Sequence, residues 1–193
     1  CALPISDFAI LYRTNAQSRV FEEALRKRSI PYKIYGGLSF YQRKEIKDVI
    51  AYCRLVANHH DEEALKRIIN VPARGIGDTT VAKLLDCART QAVSVWDVLN
   101  DMLAYNLQVN AGTATKLANF RKVISVFAAQ TETLNAYELM LQIVKVSGII
   151  NDTYVDKSPE AMSRQENVQE LLKAVHEFCE QKTTAGETAF LAD

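Results

Sequence analysis

A change of hydrophobic period at Gly36-Gly37 divides this chain into two unequal parts. Before it, the short apolar runs at 8–12 and 32–35 have the length and side chains of strands, with a helical pattern between them. From Tyr41 onward, apolar residues recur at helical intervals of three and four. The sequence therefore predicts a mainly α fold, a helical domain preceded by a short β-α-β fragment of an α/β domain.

Turn residues between the apolar stripes set the limits of the predicted helices. Gly75, Gly112, Gly148 and Pro159 each lie at such a boundary. After the first two stripes, which contain Ile46 to Val56 and Leu65 to Ile69, the pattern predicts helices at about 79–90, 94–103, 113–131, 136–147 and 160–182. Residues from Thr183 onward are predicted to be a loop.

The predicted β-α-β unit is too small to stand alone. Two parallel strands and one helix cannot bury both faces of a sheet, so the first 37 residues are expected to belong to a larger α/β domain. The chain is accordingly interpreted as a piece of a multidomain protein.

Composition excludes several classes of protein. The chain has 193 residues and is 48% hydrophobic, which is enough for a folded core. No apolar run approaches the roughly 20 residues of a membrane span, and no secretory leader is recognisable, so a cytoplasmic protein without a membrane partner is expected. The four cysteines are scattered without paired spacing, which predicts reduced thiols and neither a disulfide framework nor a metal site.

Charge is balanced overall but is unevenly distributed. The chain has 23 basic and 23 acidic residues, so no general basic-protein argument for nucleic acid holds. Between Tyr12 and Arg89, however, 15 residues are basic and 9 acidic, against 8 and 14 in the rest. A polyanion should therefore prefer the first half, although solvated helix faces that differ in charge explain the same counts.

An aromatic ring and a guanidinium stand together at the end of the first predicted strand. Tyr12 can stack on a base, and Arg13 can clamp a phosphate or neutralise charge during phosphoryl transfer. In open α/β sheets this end of a strand is where ligands bind. The alternative is a surface arginine beside a half-buried tyrosine.

A glycine-framed turn opens the predicted helix at 79. In Arg74-Gly75-Ile76-Gly77, glycines allow backbone amides to approach a phosphate closely, and the following Asp78-Thr79-Thr80 begins a helix whose free amides favour an anion. Such a turn can hold duplex DNA without reading its sequence. Asp78 opposes this if it caps the helix, and a tight helix-helix turn is the other interpretation.

A third group of candidates lies near the start of the helical region. Arg43, Lys44 and Lys47 supply positive charge, and the two lysines share a helix face that could follow a phosphate backbone. Glu45 and Asp48 interleave with them, so intrahelical ion pairing is the alternative. The adjacent pair Phe40-Tyr41 is interpreted as core rather than as a base-stacking platform.

Three stretches resemble a known family when taken in order. They are Tyr-Arg-Thr-Asn-Ala-Gln-Ser-Arg at 12–19, the segment that runs from Ile30-Pro31-Tyr32 through Gly36-Gly37-Leu38-Ser39-Phe40 to Arg43-Lys44-Glu45-Ile46-Lys47-Asp48, and Asn70-Val71-Pro72-Ala73-Arg74-Gly75-Ile76-Gly77. They are similar to the fourth conserved motif and following segment of UvrD/PcrA/Rep-type superfamily 1 DNA helicases. The close similarity covers about the first 90 residues, and the later helices resemble the family in pattern only.

The resemblance implies a role for each candidate. In that family Tyr12 would stack on the adenine of ATP, Arg13 would reach the γ-phosphate as the catalytic residue, and the Gly-Ile-Gly turn with Thr79 and Thr80 would contact duplex DNA. Residues 1–37 would be part of the second motor domain, 2A, residues 38–182 an accessory domain like 2B, and residues 183–193 a loop or tail. The implied partners are DNA at a single-strand/duplex junction, the remaining helicase domains and DNA-repair proteins.

The parent implied by the resemblance is an ATP-dependent 3′-5′ DNA helicase that uses ATP and Mg²⁺. This chain contains neither the Gly-x-x-x-x-Gly-Lys-Ser/Thr phosphate loop nor an Asp-Glu pair after an apolar strand. It is therefore expected to be inactive alone and to hold no cofactor by itself. Two other functions fit the sequence: a helical protein-interaction module, and the equivalent region of a helicase-nuclease subunit.

Overall fold

The computed structural model describes residues 8–35 and 37–191, except for the side chains of Asp152 and Val155. These residues form α1 (Ser18–Lys27), α2 (Lys44–Ala57), α3 (Glu62–Ile68), α4 (Asp78–Gln91), α5 (Val95–Asn100), α6 (Ala111–Ala128), α7 (Ala136–Ser147), α8 (Asn151–Val155) and α9 (Pro159–Thr184). Short 3₁₀ turns at Asn15–Gln17 and Phe40–Gln42 precede α1 and α2. The mainly helical fold predicted from the sequence is confirmed.

Local capping residues explain why the helices begin and end where they do. The side chains of Ser94, Asn110, Asn135 and Ser158 each accept a hydrogen bond from a backbone amide in the first turn of α5, α6, α7 and α9. At its other end α7 stops at Gly148, whose φ of +75° suits a residue without a Cβ. The predicted limits 136–147 are therefore confirmed at both ends.

Helix α2 lies at the centre of the domain. It packs against α3, α6, α7 and α9, and its residues Ile46, Val49, Tyr52 and Leu55 are fully buried. The same continuous core includes Phe40, which confirms its interpretation as a core residue. Because this core reaches from the turn before α2 to α9, the two ends of the helical region are held in one packed unit.

The predicted β-α-β part is not observed. Its helix is present as α1, but the runs at 8–12 and 32–35 have no regular secondary structure, and no residue in the described ranges belongs to a strand. Phe8 and Leu11 are 66% and 94% exposed. A strand requires a neighbour that completes its ladder of hydrogen bonds, and among the described residues neither run has one.

The described cysteines are free thiols, and Cys1 lies outside the described residues. Cys53 and Cys179 are buried, and Cys87 is half-buried. Burial raises the pKa of the Cys53 thiol to about 12, so this thiol is protonated and unreactive at neutral pH. Within the described parts of the chain, no helix is both long enough and apolar enough to cross a membrane.

Candidate functional site

The arm that carries Tyr12 and Arg13 is held by a tight hydrogen-bonded turn. The Gln17 side chain accepts hydrogen bonds from the amides of Arg13 (2.8 Å) and Thr14 (3.2 Å), and the Gln17 amide donates back to the Thr14 carbonyl at 3.2 Å. The Gln17 side chain thus bonds back to the amide of the N-cap residue Thr14 at the start of the 3₁₀ turn. The backbone of the arm is therefore fixed to the start of α1.

The two candidate side chains lie beside a cavity. The Tyr12 ring is 36% exposed and stacks on Phe21 with a centroid distance of 6.4 Å. The Arg13 guanidinium is exposed and pairs with no described residue. The cavity has a volume of about 890 Å³, and its polar wall is formed by residues of α9: Glu166, Gln169, Glu170 and Lys173. A planar ring and an exposed guanidinium beside one cavity suit a base and a phosphate.

A magnesium site is not found with this pair. No group of three His, Cys, Asp or Glu side chains in the described residues is arranged to hold a metal ion. The residues present therefore fit one edge of a nucleotide, its base and a terminal phosphate, and do not fit the cation that accompanies it.

The glycine turn is built around one asparagine side chain. Asn70 Oδ1 accepts hydrogen bonds from the amides of Arg74 (2.8 Å) and Ile76 (3.1 Å), which places Ile76 in the core at 1% exposure. Gly75 between them has a φ of +68°, which a residue with a Cβ rarely adopts. Gly75 and Gly77 are consequently left on the surface, on either side of a buried anchor.

The start of α4 has unsatisfied backbone donors. Its N-cap is Gly77 and no side chain caps the helix, so Asp78 is the first helical residue and not the cap. The first amide bonded within the helix is that of Thr80, to the Gly77 carbonyl at 2.9 Å, so the amides of Asp78 and Thr79 have no hydrogen-bond partner among the described residues. Thr79 is exposed and Thr80 is half-buried. This arrangement suits an anion, although the Asp78 carboxylate opposes it in part.

Arg74 points into the protein. Its Nη1 donates to the carbonyls of Ile68 (3.1 Å), Val71 (2.8 Å) and Pro72 (3.2 Å), and its Nη2 donates to the Tyr52 hydroxyl. The guanidinium also lies 5.4 Å from the centre of the Phe120 ring. The predicted DNA contact of Arg74 stays a prediction, whereas its observed contacts join the end of α3 to the glycine turn.

Lys116 on α6 lies against the turn and was not selected from the sequence. Its Nζ donates to the Gly75 carbonyl at 3.2 Å, and a Cβ on Gly75 would lie 2.6 Å from the same nitrogen. The two residues are 41 positions apart, so only the packing of α6 brings them together. The structure thus adds one exposed cation to the predicted DNA-contacting group.

The cations at the start of α2 form a separate group. Arg43 is the N-cap of α2, and its Nη2 donates to the Leu38 carbonyl at 3.2 Å. Lys44 and Lys47 are exposed, and neither forms a salt bridge with Glu45 or Asp48 in the described chain, although the charge of Lys44 still acts on Asp48. Those carboxylates have other partners: Glu45 accepts from Asn167 at 2.7 Å, and Asp48 pairs with Arg67 at 2.7 Å. The intrahelical ion pairing considered from the sequence is therefore not formed, and both lysines face solvent.

The buried Asp48 carboxyl leads to a prediction about pH. Burial raises its pKa above the usual 3.8, an effect that Arg67 offsets only in part. Because the folded protein holds this proton more tightly than the unfolded chain, the contribution of Asp48 to stability is complete below pH 3.8 and is lost as pH rises through the folded-state pKa. The free energy of unfolding of Asp48→Asn minus that of the wild type should therefore increase as pH rises from acidic to neutral, as measured by chemical denaturation. A value that decreases over the same range would contradict the assignment.

Comparison with known proteins places these features in a family. The family described as the UvrD-like helicase C-terminal domain matches residues 2–193. The chain belongs to this family. The UvrD/PcrA/Rep-type helicase resemblance predicted from the sequence is thereby confirmed.

Curated relatives of this UvrD-like domain agree with the match. The chain is 37% identical over 174 residues to DNA helicase II of Salmonella typhimurium. The aligned region covers 90% of this chain and 24% of that relative. It is 40% identical over 189 residues to the ATP-dependent DNA helicase PcrA of Bacillus subtilis, covering 98% of this chain and 25% of that protein. The UvrD-like chain thus spans about a quarter of the length of these relatives.

Proposed function

We propose that this chain is the part of an ATP-dependent 3′-5′ DNA helicase that supplies one edge of the ATP site and a duplex-binding turn, and that it is inactive alone. The observation that carries the proposal is the Tyr12–Arg13 pair. Its ring and its guanidinium, which pairs with no residue in the described parts of the chain, line a cavity. The B. subtilis relative of the chain is an ATP-dependent DNA helicase. The full-length protein that carries the chain is called the parent below.

On this assignment the chain has three parts. Residues 1–37 contribute to the second motor domain, residues 38–182 form the accessory domain, and residues 183–193 lead out of it. Tyr12 stacks on adenine and Arg13 approaches the γ-phosphate, where a guanidinium can stabilise charge that develops during transfer. Bound ATP with its Mg²⁺ supplies the hydrolysable bond, and the carboxylates for that cation are contributed by the rest of the parent. The parent's other domains and DNA are its partners.

DNA contact is assigned to the surface between Gly75 and Thr80. The exposed glycines allow a backbone to approach closely, and the amides at the start of α4 and the Lys116 ammonium can donate to phosphate oxygens, so binding should depend on salt more than on sequence. Lys44 and Lys47 are proposed as a second phosphate contact, with Arg43 positioning the start of their helix.

Gly77 allows a test that separates DNA contact from folding. A Cβ there meets nothing within 4 Å and φ lies in the ordinary negative region, so Gly77→Ala should fold as the wild type does. If a DNA phosphate approaches this backbone closely, the new methyl group should prevent one charge-assisted hydrogen bond. The Kd for a forked duplex should then rise about tenfold. Titration of labelled fork into the parent measures this change, and an unaltered Kd would reject the contact.

Lys116→Ala should weaken the same binding and reduce the slope of log Kd against log salt by about one phosphate contact. Lys122→Ala, an exposed lysine farther along the same helix, is the matched control and should keep the wild-type slope. A module that binds only proteins predicts no response to either change.

A further inference from the structure

The imidazole of His59 lies flat against the indole of Trp96. The ring centroids are 4.4 Å apart, and the planes are inclined by 10°. Trp96 is 6% exposed and belongs to the core, whereas His59 is half-buried in the loop between α2 and α3. The Nε2 atom of His59 is buried and has no hydrogen-bond partner among the described residues. The contact therefore depends on ring stacking, and a proton added at Nε2 would have no acceptor.

The stack joins two helix pairs that lie on either side of the glycine turn. Helix α3 packs on α2, and α4 packs on α5. The glycine turn connects α3 to α4, so it links the two pairs along the chain. His59 precedes α3, and Trp96 lies in the first turn of α5. The stack therefore closes a loop of chain whose middle is the glycine turn, and it holds the two pairs together at the other end of that loop.

The surroundings of His59 oppose a positive charge on its ring. Burial and the charge of the neighbouring His60 lower the pKa of His59 below its usual 6.5. The face of an indole attracts a cation, but a buried donor without an acceptor costs more free energy than this attraction supplies. The other charged groups on the adjoining elements are exposed or already have partners: Arg54 with Asp61 at 2.8 Å, Glu62 with Lys66 at 3.0 Å, Asp97 with the Ser94 amide and hydroxyl, and Glu63 in solvent.

A proton on His59 consequently favours an open stack. The stacked imidazole binds a proton less tightly than a solvated one does. The stability of the stack is therefore complete above pH 6.5 and is lost as pH falls through the lower pKa of the stacked form. Since a histidine titrates near neutral pH, a small change in acidity is enough to act on this contact.

We propose that the His59–Trp96 stack holds the glycine turn in its DNA-binding form, and that protonation of His59 opens the stack and weakens DNA binding. The inference rests on the proposed function and adds to it a residue that positions the turn. His59 is not among the donors assigned to phosphate, and it acts through α3 and α5. Once the stack opens, the two helix pairs can shift relative to each other, and the two ends of the glycine turn shift with them.

The test compares two replacements of His59 in the parent. His59→Phe keeps a flat ring on Trp96, cannot be protonated and places a carbon where Nε2 lacks a partner, whereas His59→Ala removes the stack. The Kd for a forked duplex is measured at about pH 5.5 and at about pH 7.5. We expect the ratio of the two values to be about fivefold larger in the wild type than in His59→Phe. His59→Ala should bind weakly at both pH values.

Two further measurements support the comparison. His60→Gln is the matched control, because His60 is an exposed histidine beside His59, and this variant should still lose affinity at acidic pH. Opening is observed directly in the 193-residue chain, in which Trp96 is the single tryptophan. Its emission should move to longer wavelength as pH falls, because the indole becomes exposed to water, and the emission of His59→Phe should stay unchanged.

A stack with a merely structural role would lower the affinity of His59→Ala but would give the wild type and His59→Phe the same ratio of Kd values. That result, with fork binding intact at neutral pH, overturns the inference and leaves the proposed function standing. A wild-type parent that does not bind the fork at either pH overturns both, whatever the emission of Trp96 shows.

Discussion

Replacement of Arg13 by alanine in the parent is expected to lower kcat for DNA-stimulated ATP hydrolysis by about 10³-fold, the lower end of the range for a guanidinium that stabilises a transferring phosphoryl group. The effect should fall on kcat more than on KM, because the guanidinium is most useful where charge develops. Since the Arg13 side chain is exposed and pairs with no described residue, the variant should retain wild-type stability. Steady-state kinetics and thermal unfolding measured together make this distinction.

Arg28 is the matched control for Arg13. It is also an exposed arginine and lies just after the end of α1, where its side chain donates to the Ala24 carbonyl at 3.4 Å. Arg28→Ala should hydrolyse ATP at the wild-type rate. Equal losses in the two variants would point to general electrostatics, and an unaffected Arg13→Ala would remove the assignment of the arm to the nucleotide.

Replacement of Arg74 by alanine is expected to cost about 3 kcal/mol or more of unfolding free energy. The variant would leave the carbonyls of Ile68, Val71 and Pro72 without their shared donor, and it would remove a cation from the Phe120 ring. Arg74→Lys should lose less stability than Arg74→Ala but more than none, because one ammonium cannot bond these carbonyls and the Tyr52 hydroxyl together as the planar guanidinium does. Chemical denaturation of the 193-residue chain measures both variants.

An exposed arginine gives the comparison for Arg74. The Arg89 side chain is 81% exposed and pairs with Asp86, itself 67% exposed, so Arg89→Ala should change stability by no more than about 0.5 kcal/mol. If Arg74→Ala changes the unfolding free energy as little as Arg89→Ala does, the inward hydrogen bonds of Arg74 contribute little to stability. The Arg74 guanidinium would then be available to DNA, as the sequence alone suggested.

The helices were predictable because their signals are local. Asn135 and Gly148 flank α7 in the sequence, and a side-chain cap and a left-handed glycine act within one turn of their own positions. The strand prediction at 8–12 and 32–35 failed in the described residues for the opposite reason. A strand is completed by partners that lie far away in the chain, and its own residues cannot supply them.

The sequence names the candidate residues, but it does not give the directions of their side chains. Sequence identified Arg74 as a cation beside two glycines, but the inward direction of its side chain depends on Tyr52 and Phe120, which belong to other helices. Lys116 and Gly75 are 41 positions apart in the sequence, and the hydrogen-bonded Arg19 and Glu170 are 151 positions apart. Periodicity and short motifs carry no information about contacts at such separations. The short helix α8 escaped prediction because five residues give too little repetition to show a period.

The open space beside Gly77 has a consequence for movement along DNA. On the proposed function, backbone amides and one lysine meet only the repeating phosphates, so each base pair presents the same free energy to the turn. A motor that steps over such a contact meets no preferred stopping place in it, so any dependence of its speed on sequence must arise from other contacts or from the base pairs that it separates.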